Sequence, residues 1–205
     1  MQPFGRLDGP PRQRASTNRA ALLVAGASCM LPGPANYLHS HALAVRVGRD
    51  ALDQAPPSRW DFAAAANDLD PAVAGRCRFG GFLTGAEGFD ATQFFTSPAE
   101  AVAMDPQQRL LLERGYESLH RARLDRSSLG GSLTGVFLGI AGSHFGFLLG
   151  AMPAGSSVYA ATGSSLSIAC GRVSYGLGLH GPCASYDTAC SAALTACHAS
   201  LRALQ

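Results

Sequence analysis

The chain has 205 residues, of which 47% are hydrophobic and 15% are charged, and its formal net charge is +2. This composition is typical of a globular protein of one or two domains and excludes a disordered chain. All 16 basic residues are arginines. Because the positive excess is small and no basic cluster contains aromatic residues, we expect no nucleic-acid binding. No apolar stretch is long enough to span a membrane.

The first segment of the chain is polar. Residues 1–19 carry four arginines against a single aspartate, which predicts a disordered N-terminal tail. The apolar run Ala20–Leu31 then passes into Pro32-Gly33, as a buried strand that ends in a turn does, and we expect a strand at 21–26. A secretory signal is the weaker alternative because the run is short. An organelle import segment before Ala20 is a further alternative.

Two helix starts are marked by capping residues. Each has an N-cap residue, a proline and an acidic or amide residue three positions after the cap: Ser97, Pro98 and Glu100 in the first, Asp105, Pro106 and Gln108 in the second. Both patterns are typical of capping boxes. We therefore expect a helical turn after Ser97 and a helix from Pro106 to about His120. Its polar residues, Glu117 among them, should form a solvated face with i,i+4 pairs.

The middle of the chain predicts further elements and excludes two activities. Asn67–Arg78 is expected to be a loop, 134–140 a strand, and the small-residue stretch Thr162–Gly176 a closely packed helix. The glycines around 139–146 do not form a G-x-G-x-x-G motif, so dinucleotide binding has little support. The serines of Thr162–Gly176 lack a G-x-S-x-G elbow, which makes a serine hydrolase a weak alternative.

The last part of the chain carries the best nucleophile candidate. Gly181-Pro182 is a turn signal, Cys183–Asp187 suits a short strand, and alanine, leucine and cysteine dominate from Ser191 onward. This predicts a strand, a tight turn that holds Cys190, and a helix. Free N–H groups and the helix dipole favour a thiolate there. The dipole contributes only about 0.3–1 kcal/mol, so strong activation needs a histidine or another cation. A small core cysteine is the alternative.

The helix after Cys190 is apolar almost all the way round, so we expect it to be buried, with the thiol at the floor of a pocket. The six cysteines form no C-x-x-C pair, which favours a reducing compartment with free thiols. Cys190 and Cys197 lie about 10 Å apart along a helix axis, too far for one zinc ion to bridge. We expect no metal site.

Strands at 21–26, 134–140 and 183–187, separated by helical stretches, predict an α/β protein of stacked layers. The run Asp187–Ser191 (Asp-Thr-Ala-Cys-Ser) resembles the active-site signature of β-ketoacyl synthases, the condensing domains of polyketide synthases and related fatty-acid synthases. Three other stretches are similar to that family: Gly171–Tyr175, Leu177–Leu179 and Met104–Arg109. The resemblance runs from about Ala20 to Gln205.

The resemblance implies a thiolase-like layered αβαβα fold, of which residues 20–205 would form the N-terminal half, ending within the helix after Cys190. It implies that Cys190 takes an acyl chain from the phosphopantetheine of an acyl carrier protein. Decarboxylative Claisen condensation with a malonyl-type extender would follow. The partner would be an acyl carrier protein domain, the complete enzyme would be a homodimer, no cofactor would be bound directly, and the location would be cytoplasmic.

The chain departs from the family in what it lacks. The family's two histidines and its lysine, which serve decarboxylation and oxyanion stabilisation, belong to a later part of the domain, and this chain contains no lysine. Ala192 and Ala193 stand where polyketide-type members usually carry serines. Two hypotheses follow. The chain is part of a catalytic ketosynthase, or it is a non-catalytic ketosynthase fragment that acts as a dimerisation or carrier-protein binding module.

Overall fold

The computed structural model describes residues 23–33, 37–142 and 144–205. The predicted disordered tail at 1–19 and the first two residues of the predicted strand at 21–26 lie outside the described residues. Within these three ranges, no helix is both long enough and apolar enough to cross a lipid bilayer.

The described residues form helices and short strands, with up to three α-helices between one strand and the next. The helices are α1 Leu38–Arg46, α2 Phe62–Ala66, α3 Pro71–Cys77, α4 Pro98–Ala103, α5 Pro106–Arg121, α6 Arg126–Leu129, α7 Phe145–Gly150, α8 Ala160–Ser164, α9 Leu166–Leu177 and α10 Ala192–Ala203. The strands are β1 Asp53–Gln54, β2 Phe79–Gly80, β3 Val136–Gly139 and β4 Cys183–Tyr186. Short 3₁₀ helices lie at Thr92–Phe94, Pro153–Ser156 and Ala189–Ser191.

Three layers form the centre of the molecule. β3 and β4 pair in parallel, with Val136 opposite Cys183 and Gly139 opposite Tyr186. Val136 points into an apolar core shared with α5 and α9, whereas Gly139 faces the start of α10. This alternation follows from the two-residue period of a strand. The sheet is therefore covered by α5 and α9 on one face and by α10 on the other, which confirms the predicted α/β layering.

A buried polar network joins α4, α5, α8 and α9. Gln108 is 1% exposed, and its Nε2 donates to the carbonyl oxygens of Thr162 and Ser165 at 3.2 and 2.9 Å. Arg172 donates to Gln108 Oε1 at 2.8 Å and forms an ion pair with Glu100. Because its residues come from all four helices and from Ser165 between α8 and α9, this network fixes how the four helices pack.

The capping predictions are half correct. Ser97 accepts a hydrogen bond from the Glu100 N–H, and Asp105 accepts one from the Gln107 N–H, so both residues are N-caps. The side chains of Glu100 and Gln108 do not reach back to the caps, because both are held in the network around Arg172. α5 runs from Pro106 to Arg121, which confirms the predicted helix.

The polar face of α5 is centred on Glu117. Its carboxylate accepts from Arg114 at 2.5 Å, Arg121 at 2.6 Å and Ser28 Oγ at 2.7 Å. Partial burial works against ionisation, but the hydrogen bonds from Ser28 and Arg121 and the charges of Arg114 and Arg121 outweigh it, so the pKa of Glu117 is lowered. The predicted pairing on this face is confirmed.

Three element predictions are wrong. The described part of the predicted strand at 21–26 has no strand structure, and Leu23 is 88% exposed. Gly26 packs on the end of α5 and not beside another strand. A strand needs a neighbour in a sheet, and the sequence does not reveal whether one is present. Within the predicted loop Asn67–Arg78, Asp70 caps helix α3. The predicted helix Thr162–Gly176 breaks at Ser165, whose backbone is extended.

Candidate active site

The candidate nucleophile lies in a tight turn between β4 and α10. Cys190 is the middle residue of the 3₁₀ helix Ala189–Ser191, which leads directly into α10. Ala189 has a left-handed backbone, with φ of 53°, and its N–H donates to Asp187 Oδ1 at 3.2 Å. A left-handed residue other than glycine costs about 1–2 kcal/mol. The predicted position of Cys190 on the turn is therefore confirmed, and the turn is strained immediately before the thiol.

Three hydroxyl groups hold this turn in place. Ser191 Oγ lies 2.9 Å from both the carbonyl oxygen and Oγ1 of Thr188. Thr195 Oγ1 lies 3.2 Å from Thr188 Oγ1 and donates to the Ser191 carbonyl oxygen at 3.1 Å. Hydroxyl residues at spacings of three and four are a recognisable signal for side-chain bonds at a helix start. Thr188 and Thr195 were not among the predicted site residues.

Gly139 allows the start of α10, and with it the turn of Cys190, to pack closely on the sheet. A Cβ atom on Gly139 would lie 2.4 Å from the Ala193 nitrogen and 2.5 Å from the Ala192 carbonyl carbon. The first turn of α10 thus rests on the β3 backbone, where only glycine fits. The Ile140 N–H donates to the Tyr186 carbonyl oxygen at 3.0 Å, so pairing with β3 continues to the end of β4. The sequence pattern around Gly139 bears only on nucleotide binding and gives no signal for this contact.

The surroundings of Cys190 are open. Cys190 is exposed, as is half of α10, in which Leu194 is 75% exposed and Ala192 and Ala196 are buried. The prediction of a thiol at the floor of a pocket under a fully buried helix is therefore wrong for this chain. The reason is that β3 and β4 cover only one side of α10, and no other layer within the described residues covers its opposite side.

The Cys190 thiol has no activating partner within the described ranges. Among the residues that the structure describes, none forms a hydrogen bond with Cys190, and His198 is exposed on α10. Cys183 and Cys197 are also exposed thiols. Partial burial raises the pKa of the Cys183 thiol, and the neighbouring Cys170 thiol raises it further. Groups of three or more histidine, cysteine or acidic side chains suited to a metal ion are absent from the described part of the chain.

The sequence matches the family described as "Beta-ketoacyl synthase, N-terminal domain" over residues 20–205. It is 45% identical over 185 residues to the pikromycin polyketide synthase component PikAII of Streptomyces venezuelae, covering 89% of this chain and 5% of that protein. It is 41% identical over 193 residues to the mycoketide-CoA synthase of Mycobacterium tuberculosis, covering 93% of this chain and 5% of that protein.

Solved ketosynthase structures have a similar fold. The ketosynthase from module 6 of the bacillaene synthase of Bacillus subtilis 168 matches with a TM-score of 0.73 and 32% identity, over 88% of this chain and 29% of that one. The oxazolomycin ketosynthase domain OzmH KS7 of Streptomyces albus JA3453 matches with a TM-score of 0.73 and 30% identity, over 88% of this chain and 31% of that one.

These matches confirm the predicted thiolase-like architecture. The chain spans less than a third of each ketosynthase structure and 5% of each of the two synthases. A match to one domain family along most of its length, relatives above 40% identity and ketosynthase structures of the same fold lead to one conclusion. The chain belongs to the β-ketoacyl synthase family, as part of its N-terminal domain.

Proposed function

We propose that this chain supplies the nucleophile of a polyketide-type ketosynthase. The Cys190 thiolate attacks the carbonyl carbon of an acyl thioester, and the phosphopantetheine thiol of an acyl carrier protein leaves. The acyl group is then held as a thioester on Cys190. The observation that carries the proposal is the exposed thiol on a strained turn at the start of a twelve-residue helix, where the helix dipole favours a thiolate.

The second step of the proposed reaction needs groups that this chain does not contain. A malonyl-type extender loses carbon dioxide, and the resulting carbanion attacks the Cys190 thioester, which expels the thiolate and leaves a β-ketoacyl product. The backbone N–H of Cys190 serves as one oxyanion donor in this proposal. Removing a single such donor lowers rates by about 10²–10³. With no lysine in the chain and no described partner on the Cys190 thiol, this chain should acylate far better than it condenses.

The second candidate function is that of a non-catalytic fragment that binds a second copy or a carrier protein. The observation in its favour is the uncovered side of α10, where Leu194 is 75% exposed. Exposed apolar side chains of this kind are typical of a face that packs against another layer of the fold or against another chain. In the complete enzyme, this would be the side that faces the rest of the domain.

Intact-protein mass spectrometry after incubation with an acyl-thioester donor separates the two functions. The first predicts a single acyl adduct on the 205-residue chain that disappears in Cys190→Ala. Cys183→Ala and Cys197→Ala are matched controls because both remove another exposed cysteine, and both should keep the adduct. An absent adduct, or one that persists in Cys190→Ala, rules out acyl transfer by this chain and favours the binding function.

The remaining proposals concern partners and location. We propose an acyl carrier protein domain as the partner, a homodimer for the complete enzyme and no directly bound cofactor, since the acyl groups travel on phosphopantetheine. We also propose the cytoplasm, where thiols stay reduced; the free thiols of Cys77, Cys170, Cys183, Cys190 and Cys197 support it. Sedimentation of the intact synthase tests the homodimer.

A further inference from the structure

Phe95 ends a short helix in a left-handed conformation, in a turn closed by the hydrogen bond from the Thr96 N–H to the Ala91 carbonyl oxygen at 2.9 Å. It follows the 3₁₀ helix Thr92–Phe94 with a left-handed φ of 53°, and it is 84% exposed. A bulky residue in this region is a genuine outlier. Strain of this kind persists where the surroundings enforce it, and it concentrates at sites with a function. An exposed aromatic ring on a strained backbone is therefore a candidate contact for a ligand.

Arg126, the first residue of α6, lies over this ring, and its guanidinium has no counter-charge in the part of the chain that the structure describes. Its Cζ is 5.0 Å from the ring centroid of Phe95 and 5.9 Å from those of Phe94 and Tyr116. Its Nη2 donates to the Gln93 carbonyl oxygen at 2.6 Å, while its Nε is buried without an acceptor. No carboxylate in the described ranges forms an ion pair with Arg126. A partly buried guanidinium without an anion favours the binding of a carboxylate.

A groove of about 340 Å³ opens beside Arg126. Phe95 forms one side of it, Tyr175 and the backbone at 176–178 form another, and Tyr175 is 90% exposed. Tyrosine, phenylalanine and arginine are the residues that protein interfaces enrich and that carry most of the binding energy. The volume lies at the lower end for ligand sites, which suits one aromatic side chain and a neighbouring carboxylate.

We infer that this groove docks a peptide segment of a partner protein in which an acidic residue stands next to an aromatic one. The carboxylate accepts hydrogen bonds from Arg126, and the aromatic ring packs between Phe95 and Tyr175. Charge complementarity selects an acidic segment, because Arg126 is the charged residue that lines the groove. The groove is built by the ends of α6 and α9, not by the turn of Cys190, so the inference does not depend on the proposed function.

Isothermal titration of the full chain with the peptide acetyl-Gly-Glu-Phe-Gly-amide tests the inference. Replacing the peptide's glutamate by glutamine should weaken binding by about tenfold, because a charge-assisted hydrogen bond is lost, and Arg126→Gln should weaken binding of the acidic peptide to the same extent. Phe95→Gly should abolish binding while leaving the Tm unchanged or higher, because glycine removes the left-handed strain. A purely structural role for Phe95 predicts a lower Tm instead.

A second arginine and phenylalanine pair provides the matched control. Arg78 lies 4.8 Å from the ring centroid of Phe79, so Arg78→Gln removes an equivalent cation–π contact and should leave binding unchanged. Four results would overturn the inference: equal binding of the glutamine peptide, full binding to Phe95→Gly, binding of free 3-phenylpropionate as tight as that of the peptide, or self-association of the chain that Phe95→Gly abolishes. The last two would assign the groove to a small acid or to a second copy.

Discussion

The substitution Gly139→Ala tests how closely the turn of Cys190 is bound to the sheet. The new Cβ would lie 2.4 Å from the Ala193 nitrogen and 2.5 Å from the Ala192 carbonyl carbon. These are backbone atoms and cannot rotate away, so α10 must move off β3. Overpacking of a core lowers the free energy of unfolding by about 1–3 kcal/mol, and we expect a loss near the upper end of this range for Gly139→Ala. In a chain of this length, about 3 kcal/mol lowers the Tm by roughly 6–12 °C.

Thermal unfolding followed by circular dichroism measures this effect. Gly142→Ala is the matched control, because nothing lies within 4 Å of the Cβ position at Gly142, and its stability should stay within about 0.5 kcal/mol of the wild type. The acyl adduct at Cys190 should also decrease in Gly139→Ala, since the turn moves with α10. If Gly139→Ala unfolds at the wild-type temperature, the close contact between α10 and β3 is refuted.

Three further predictions test other contacts by denaturant unfolding. Arg172→Met should lower the free energy of unfolding by about 3 kcal/mol, because it leaves Glu100 partly buried without its cation. Arg59→Met breaks an exposed ion pair and should lower it by about 1 kcal/mol or less. Equal losses of stability in the two variants would contradict the role of the buried network. Ala189→Gly should stabilise the turn by up to about 1 kcal/mol, and a loss of stability would show that its left-handed backbone is not strained. The pKa of Glu117 is lowered in the fold from 4.5, so its stabilising contribution is present above that pH and is lost as the pH falls through the folded value. Glu117→Gln should therefore flatten the acid side of the stability profile below about pH 4.5, and an unchanged profile would exclude this contribution.

Much of the layered fold could be predicted because its signals are local. The strands β3 and β4, the caps Ser97 and Asp105 and the turn at Cys190 each follow from a few neighbouring residues. N-cap residues, prolines and apolar runs act within one turn of the chain, so their effect does not depend on the rest of the fold. The resemblance to ketosynthases rested on equally short motifs.

The contacts between distant segments were decided only by the tertiary structure. The pairing of Arg172 with Glu100 and the approach of α10 to Gly139 join residues more than 50 positions apart. The left-handed backbones of Ala189 and Phe95 carry no signal in residue type, since neither is a glycine. Burial was also misjudged: an apolar helix indicates that a cover is needed, but the layers around it determine whether one is present. The sequence by itself thus determined the nucleophile candidate and those elements whose signals are local, and tertiary packing decided their exposure, strain and partners, because those depend on non-local contacts.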